Sequence, residues 1–177
     1  MNRTVTIFGS SIPKPGDDEY EDALSLGRIL AKNNFNVRTG GYQGTMDAVS
    51  KGAREYNVRA IGITVDTFKA MPSKHLTEII HTSTLIERLQ KLIELGDAYI
   101  ILPGGTGTLV EISLVWEYLN KRIIPLKPVA CFGPMWGKLV DLIDARIKFE
   151  GRREGLIQCF DDIQQCANYI INRLKNL

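Results

Sequence analysis

The stretch Ala98-Tyr99-Ile100-Ile101-Leu102-Pro103-Gly104-Gly105-Thr106-Gly107-Thr108-Leu109-Val110-Glu111 changes character twice along its length. Ala98 to Leu102 is short and apolar throughout, as a strand buried on both faces of a sheet must be. Pro103 to Gly107 breaks it, and the residues from there to about Tyr118 are apolar around most of a helical surface. A buried strand, a glycine turn and a helix in succession form the repeating unit of a parallel α/β sheet. Being the most apolar strand, Ala98–Leu102 is expected to be the central one.

The same alternation extends in both directions. Upstream, Thr4 to Phe8 reads as a strand ended by Gly9-Ser10-Ser11, and Asp17 to about Lys32 as a helix with Tyr20, Ala23, Leu24, Gly27, Leu30 and Ala31 on one face. Phe35 to Arg38 is a second strand, broken by Gly40-Gly41-Tyr42-Gln43-Gly44 before a helix from Thr45 to about Glu55. Val58 to Ile63, a loop holding Pro72, Leu76 to His81 and a helix from Thr84 to Leu95 complete that half. Downstream come a strand at Pro128–Phe132, a helix at Met135–Phe149, an edge strand at Leu156–Cys159 and a helix at Asp161–Leu174. The pattern predicts one domain over residues 1–177, a Rossmann-like, doubly wound α/β fold with a mainly parallel sheet and helices on both faces.

Composition agrees with a globular domain: 177 residues, 44% hydrophobic and 24% charged. The 22 basic and 20 acidic residues leave a net charge of +2, too balanced to point to nucleic acid or an anionic membrane. No apolar run approaches the roughly 18 residues of a membrane span. Met1-Asn2-Arg3-Thr4 leads into an apolar run that meets glycine at once, unlike a secretory signal. The expectation is therefore a cytoplasmic protein. Cys131, Cys159 and Cys166 form no CxxC pair and suggest no disulfide framework, so they read as core or neutral. Trp136, Leu139, Leu142 and Ile143 also read as core. His75 and His81 are isolated, and no metal ligation is expected.

In an open parallel sheet, ligands bind beyond the carboxyl ends of the strands. Three glycine-bearing loops fall there: Gly9-Ser10-Ser11, then Gly40 to Gly44 leading into Thr45-Met46, then Gly104-Gly105-Thr106-Gly107-Thr108. Glycine admits close backbone approach, and the free amides and dipole of a helix start favour an anion, so a phosphorylated ligand is expected. There is no GxxxxGK[ST], no complete GxGxxG and no GxSxG, which argues against P-loop NTPases, NAD enzymes and serine hydrolases. Glu111 has two readings. Thr108-Leu109-Val110-Glu111 spells a capping box, as does Thr84-Leu85-Ile86-Glu87, in which case its carboxylate serves a backbone amide. Alternatively it faces the ligand. Arg88 is either an exposed helix residue beside a Glu87/Lys91 pair or a clamp for phosphate or ribose.

Pro103-Gly104-Gly105-Thr106-Gly107-Thr108-Leu109-Val110-Glu111 matches the motif PGGxGTxxE and resembles the LOG ("lonely guy") family, the cytokinin riboside 5'-monophosphate phosphoribohydrolases. Phe8-Gly9-Ser10-Ser11, Gly40-Gly41-Tyr42-Gln43-Gly44-Thr45-Met46 and Glu87-Arg88 resemble further family segments. The resemblance implies a homodimer or higher homo-oligomer, without a cofactor, that hydrolyses the N-glycosidic bond of adenosine monophosphates, often N6-substituted. By position it makes Arg88 and Glu111 the catalytic pair and gives the loop residues to the phosphate. The chain departs from the family's Met-His-Glu-Arg-Lys with Leu85-Ile86-Glu87-Arg88-Leu89, and carries Asp47 where glycine is typical. These departures motivate a second reading, a nucleotide or phosphorylated-cofactor binder without turnover, and a third, a metabolic AMP nucleosidase. Asp47 reads as a helix N-terminal charge or, less directly, a proton donor to the leaving base. The apolar helix Thr108–Tyr118 predicts a subunit interface on the side turned from the sheet.

Overall fold

A computed structural model of the chain describes residues 2–176; Met1 and Leu177, the ends of the expected 1–177 domain, lie outside the described residues. The elements follow the predicted alternation: β1 (Thr4–Phe8), α1 (Asp18–Lys32), β2 (Asn36–Thr39), α2 (Thr45–Ala53), β3 (Ala60–Val65), β4 (Glu78–Thr82), α3 (Leu85–Glu94), β5 (Ala98–Ile101), α4 (Thr106–Asn120), β6 (Val129–Phe132), α5 (Pro134–Phe149), β7 (Ile157–Phe160) and α6 (Ile163–Lys175). All seven strands pair in parallel in the order β4-β3-β2-β1-β5-β6-β7. Strand β1 is central and β5 lies beside it, one place from its expected position; β7 is the edge strand as expected.

Alternation along β5 divides the core. Ala98 and Ile100 face one cluster, with Leu24, Leu30, Val49 and Ile170 from α1, α2 and α6. Tyr99 and Ile101 face the other, with Leu92, Ile112, Val115 and Trp136 from α3, α4 and α5. Helices therefore cover both faces, which is why β5 is apolar on both. Successive strands step one way from β1 to β4, and the other way from β5 to β7. The reversal between β1 and β5 is the topological switch point, where diverging loops open a crevice.

Three expectations need correction. Cys131 and Cys159 are register partners on β6 and β7, 4.5 Å apart at Cα, and form a disulfide. They are separated by 28 residues of strand, helix and strand, so only the sheet register brings them together. Helix α4 begins at Thr106 with Gly105 as N-cap, so Thr108 is inside the helix and makes no capping box with Glu111. On α5, Trp136 is buried but Leu142 and Ile143 are exposed, because the helix turns only one stripe to the sheet.

Helices α1 and α2 meet backbone to backbone at Gly27 and Gly52, where an added Cβ would strike the main chain of Val49 and Leu24 respectively. Alanine exceeds glycine as a helix former by about 1 kcal/mol. Steric contact outweighs that gain at Gly27, so Gly27→Ala should lower Tm in thermal denaturation followed by circular dichroism. Gly137→Ala, where the nearest heavy atom is 4.0 Å from the added Cβ, should hold Tm or raise it.

Candidate active site

The three glycine loops converge at the switch point. Ser10 N donates to the Pro103 carbonyl (3.2 Å), while Thr45 N and Oγ1 both donate to the Ser10 carbonyl (2.9 and 3.1 Å). Gly44 makes this approach feasible: its φ is +70°, and a side chain there would collide with the backbone of Ser10 and Ser11. From α5, Trp136 Nε1 donates to the Leu102 carbonyl (2.8 Å) and fixes the end of the strand from which the Pro103–Gly105 turn departs.

A cleft of about 430 Å³ opens at this junction. Of the sequence-derived candidates, Gly9, Ser10, Ser11, Met46, Arg88, Gly105, Thr106, Gly107, Thr108 and Glu111 line it. Gly40, Gly41, Gly44, Thr45 and Gly104 stand behind the lining. Gly40 abuts the Arg88 guanidinium and Met46, and Gly104 abuts the Thr108 hydroxyl, so a side chain at either would displace a lining group. Ile12, Tyr42, Phe68, Ala70, Leu85, Leu89 and Val110 complete the wall. Phe68 was not among the expected residues; its one signal in the sequence is a lone aromatic ring in the irregular segment between β3 and β4.

Arg88 and Glu111 face each other across the cleft floor. Thr84 caps α3, accepting from Glu87 N (3.1 Å), while the Glu87 carboxylate accepts from Ser83 N (3.0 Å) and pairs with Lys91 (2.9 Å). The Thr84 half of the second capping box thus forms, with the Glu87 carboxylate reaching one residue further back, to Ser83. One residue on, Arg88 turns inward and is only 6% exposed. Its Nε donates to the Ile63 carbonyl (2.8 Å), its Nη1 lies 3.5 Å from Glu111 Oε1, and its guanidinium lies near the rings of Tyr42 (5.8 Å) and Phe68 (5.7 Å). Such stacking is a strength of the planar guanidinium. Glu111 lies in the second turn of α4 and is 8% exposed. Burial pushes its carboxyl up to about 7, against the opposing pull of Arg88. A carboxyl titrating near neutrality beside a fixed cation, at the mouth of amide-rich loops, suits proton transfer on an anionic ligand.

Asp47 is elsewhere. It accepts from Tyr20 OH (2.7 Å), Ser73 Oγ (2.6 Å) and His75 Nδ1 (3.0 Å), and does not line the cleft. No group of three or more His, Cys, Asp or Glu residues arranged to hold a metal occurs among the described residues.

The model for the SLOG cluster4 family matches residues 2–158. The chain belongs to the SLOG cluster4 family, in the LOG group. It is 30% identical over 142 residues to the cytokinin riboside 5'-monophosphate phosphoribohydrolase of Rhodococcoides fascians, covering 75% of this chain and 72% of that one. The Mycobacterium marinum protein of the same name is 30% identical over 175 residues, covering 93% of each chain. Among solved structures, the molybdenum cofactor binding protein of Rippkaea orientalis superposes with a TM-score of 0.79 at 20% identity, over 98% of both chains, a likeness of fold. No helix of this LOG-family protein is long and apolar enough to cross a membrane among the described residues.

The raised Glu111 carboxyl has a stability consequence. Its folded-state pKa, about 7, exceeds the ordinary 4.5, so the folded protein holds this proton more tightly than the unfolded chain. Its contribution therefore becomes less favourable as pH rises from about 4.5 to about 7 and is level above. Relative to Glu111→Gln, the wild type should lose Tm across that window, measured by calorimetry from pH 5 to 8.

Proposed function

We propose that this LOG-family protein hydrolyses the N-glycosidic bond of an adenosine 5'-monophosphate, with or without an N6 substituent on its adenine, releasing nucleobase and ribose 5-phosphate. The observation that carries the reading is the buried Arg88–Glu111 pair at the floor of the cleft. The identity to phosphoribohydrolases supports it.

The chemistry follows from charge. When the C1'–N9 bond breaks, its electron pair leaves with the base and positive charge builds on the ribose. A carboxylate fixed near C1' stabilises that charge and can take a proton from the attacking water. The water oxygen then bonds to C1' and keeps one hydrogen as the new hydroxyl, while the proton passed to the carboxylate is balanced by one delivered to the departing base. Glu111 takes the carboxylate role. Arg88 keeps the Glu111 charge compensated and holds the phosphoribosyl part, while the amides at the α4 start and the Gly9–Ser11 turn receive the phosphate.

A second reading, binding without turnover, draws on Leu89. This residue lines the cleft where the LOG motif has lysine, leaving Arg88 the sole cation among the described lining residues. Base release decides between the two. Assayed against AMP, its N6-isopentenyl derivative and other nucleoside monophosphates, wild type should release base, with Glu111→Gln slower by roughly 10²–10⁴-fold. The wild-type kcat/KM should rise with pH through about 7, as Glu111 ionises. Binding of a nucleotide with no release from any of them would establish the second reading instead.

Leu109, which does not line the cleft, stands 40% exposed on α4, and we assign its face to a homodimer contact. Sedimentation at micromolar concentration should give a dimer, and Leu109→Glu a monomer.

A further inference from the structure

The twelve residues from Asp66 to Thr77 join β3 to β4 without regular structure, yet they furnish Phe68 and Ala70 to the cleft. Residues 66–71 are exposed, and two anchors hold the ends of this span. At the β3 end, Tyr42 OH donates to the Val65 carbonyl (3.1 Å) and accepts from Val65 N (2.9 Å). At the other end Ser73 is 4% exposed: its N donates to the Gly41 carbonyl (2.9 Å) and its hydroxyl to Asp47 (2.6 Å). His75 adds its Nδ1 to the same Asp47 oxygen and its backbone N to the Ser73 hydroxyl (3.0 and 3.1 Å). Gln43 Nε2 donates to the Met71 and Pro72 carbonyls but is itself exposed.

Asp47 is therefore the one carboxylate onto which the far anchor converges. Burial by itself would raise it, but the hydrogen bonds from Ser73, Tyr20 and His75 together hold it below the ordinary carboxylate value, so it stays charged. The cleft is polar at the glycine loops and apolar at Ile12, Tyr42, Phe68 and Leu85, which leaves the aromatic side for a nucleobase. Phe68 packs at 5.8 Å from Tyr42, and both flank the Arg88 guanidinium.

We propose that Asp47 is a positioning residue for the ligand: through Ser73 and His75 it pins the 66–77 segment to α2, and so sets the distance between the Phe68 wall and Arg88 at which a nucleobase is gripped. The ligand part rests on the nucleotide reading above; the anchoring part does not.

Lys69 and Lys74 lie exposed in this segment and give trypsin two reporters of its detachment. The double variant Ser73→Ala/His75→Ala removes the segment's bonds to Asp47 and leaves the Tyr20 bond. Tyr20→Phe does the reverse and reports any merely structural role of Asp47 between α1 and α2. The double variant should be cut at Lys69 and Lys74 roughly tenfold faster than wild type under native conditions, the scale of a lost charge-assisted bond. It should also bind AMP roughly tenfold more weakly by calorimetry, and in turnover the loss should fall mainly on KM. Tyr20→Phe should match wild type in both assays, and Asp47→Asn should follow the double variant. Equal cleavage and equal AMP affinity in wild type and the double variant would overturn the proposal, as would a Tyr20→Phe protein as impaired as the double variant. A wild type that binds no nucleoside monophosphate overturns the nucleotide reading and the ligand role with it, while the cleavage rates still decide the anchor.

Discussion

A guanidinium and a carboxyl withdrawn from water against each other set the terms for this end of the sheet. Either ion buried alone costs several kcal/mol, and their attraction offsets this only where the remaining polar atoms are served and the geometry holds. Here Arg88 has the Ile63 carbonyl for its Nε and aromatic rings beside its plane, while Gly40 gives it room that any side chain would fill. The early start of α4 puts Glu111 in its second turn, buried enough to move its titration to the neutral range. The pair is thus a product of the whole junction, since its supporting groups come from β3, the β2–α2 loop and the 66–77 segment.

The sheet supplies that junction. Because strand order reverses between β1 and β5, the loops after these strands leave in opposite directions, and the loop after β2 closes over the gap through Thr45 and Ser10. Three glycine-bearing turns that are distant in sequence become one continuous surface of backbone. That surface is held by main-chain bonds and by Trp136 from behind, so its shape owes little to the exposed side chains that border it.

Much of this was legible in the sequence. Alternation of short apolar runs with helical periodicity marks most elements, most strongly at β5, where burial on both faces of a parallel sheet leaves a continuous apolar run. Glycine turns beyond strand ends mark the ligand edge for the same kind of reason. What escaped depends on pairings that no local pattern encodes. The Cys131–Cys159 bond needs the β6–β7 register, and the inward turn of Arg88 needs the space beside Gly40. Thr108 spells a cap, yet the helix starts earlier at a glycine, so the same letters serve the cleft instead. Phe68 and Asp47 belong to an irregular segment and a helix start, where side-chain partners are set by tertiary contact alone.

The interlocked glycines of α1 and α2 carry a consequence for how the cleft can adapt. Helix α2 bears Thr45, Met46 and Asp47, and with its backbone seated against Leu24 and Val49 meeting Gly27 it has no room to slide. One jaw of the cleft is in effect a fixed anvil. Accommodation to ligands of different bulk falls instead to the exposed 66–71 stretch between its two anchors and to the start of α3. Selection for a new ligand would therefore be expected to write its changes on that side and leave the anvil untouched.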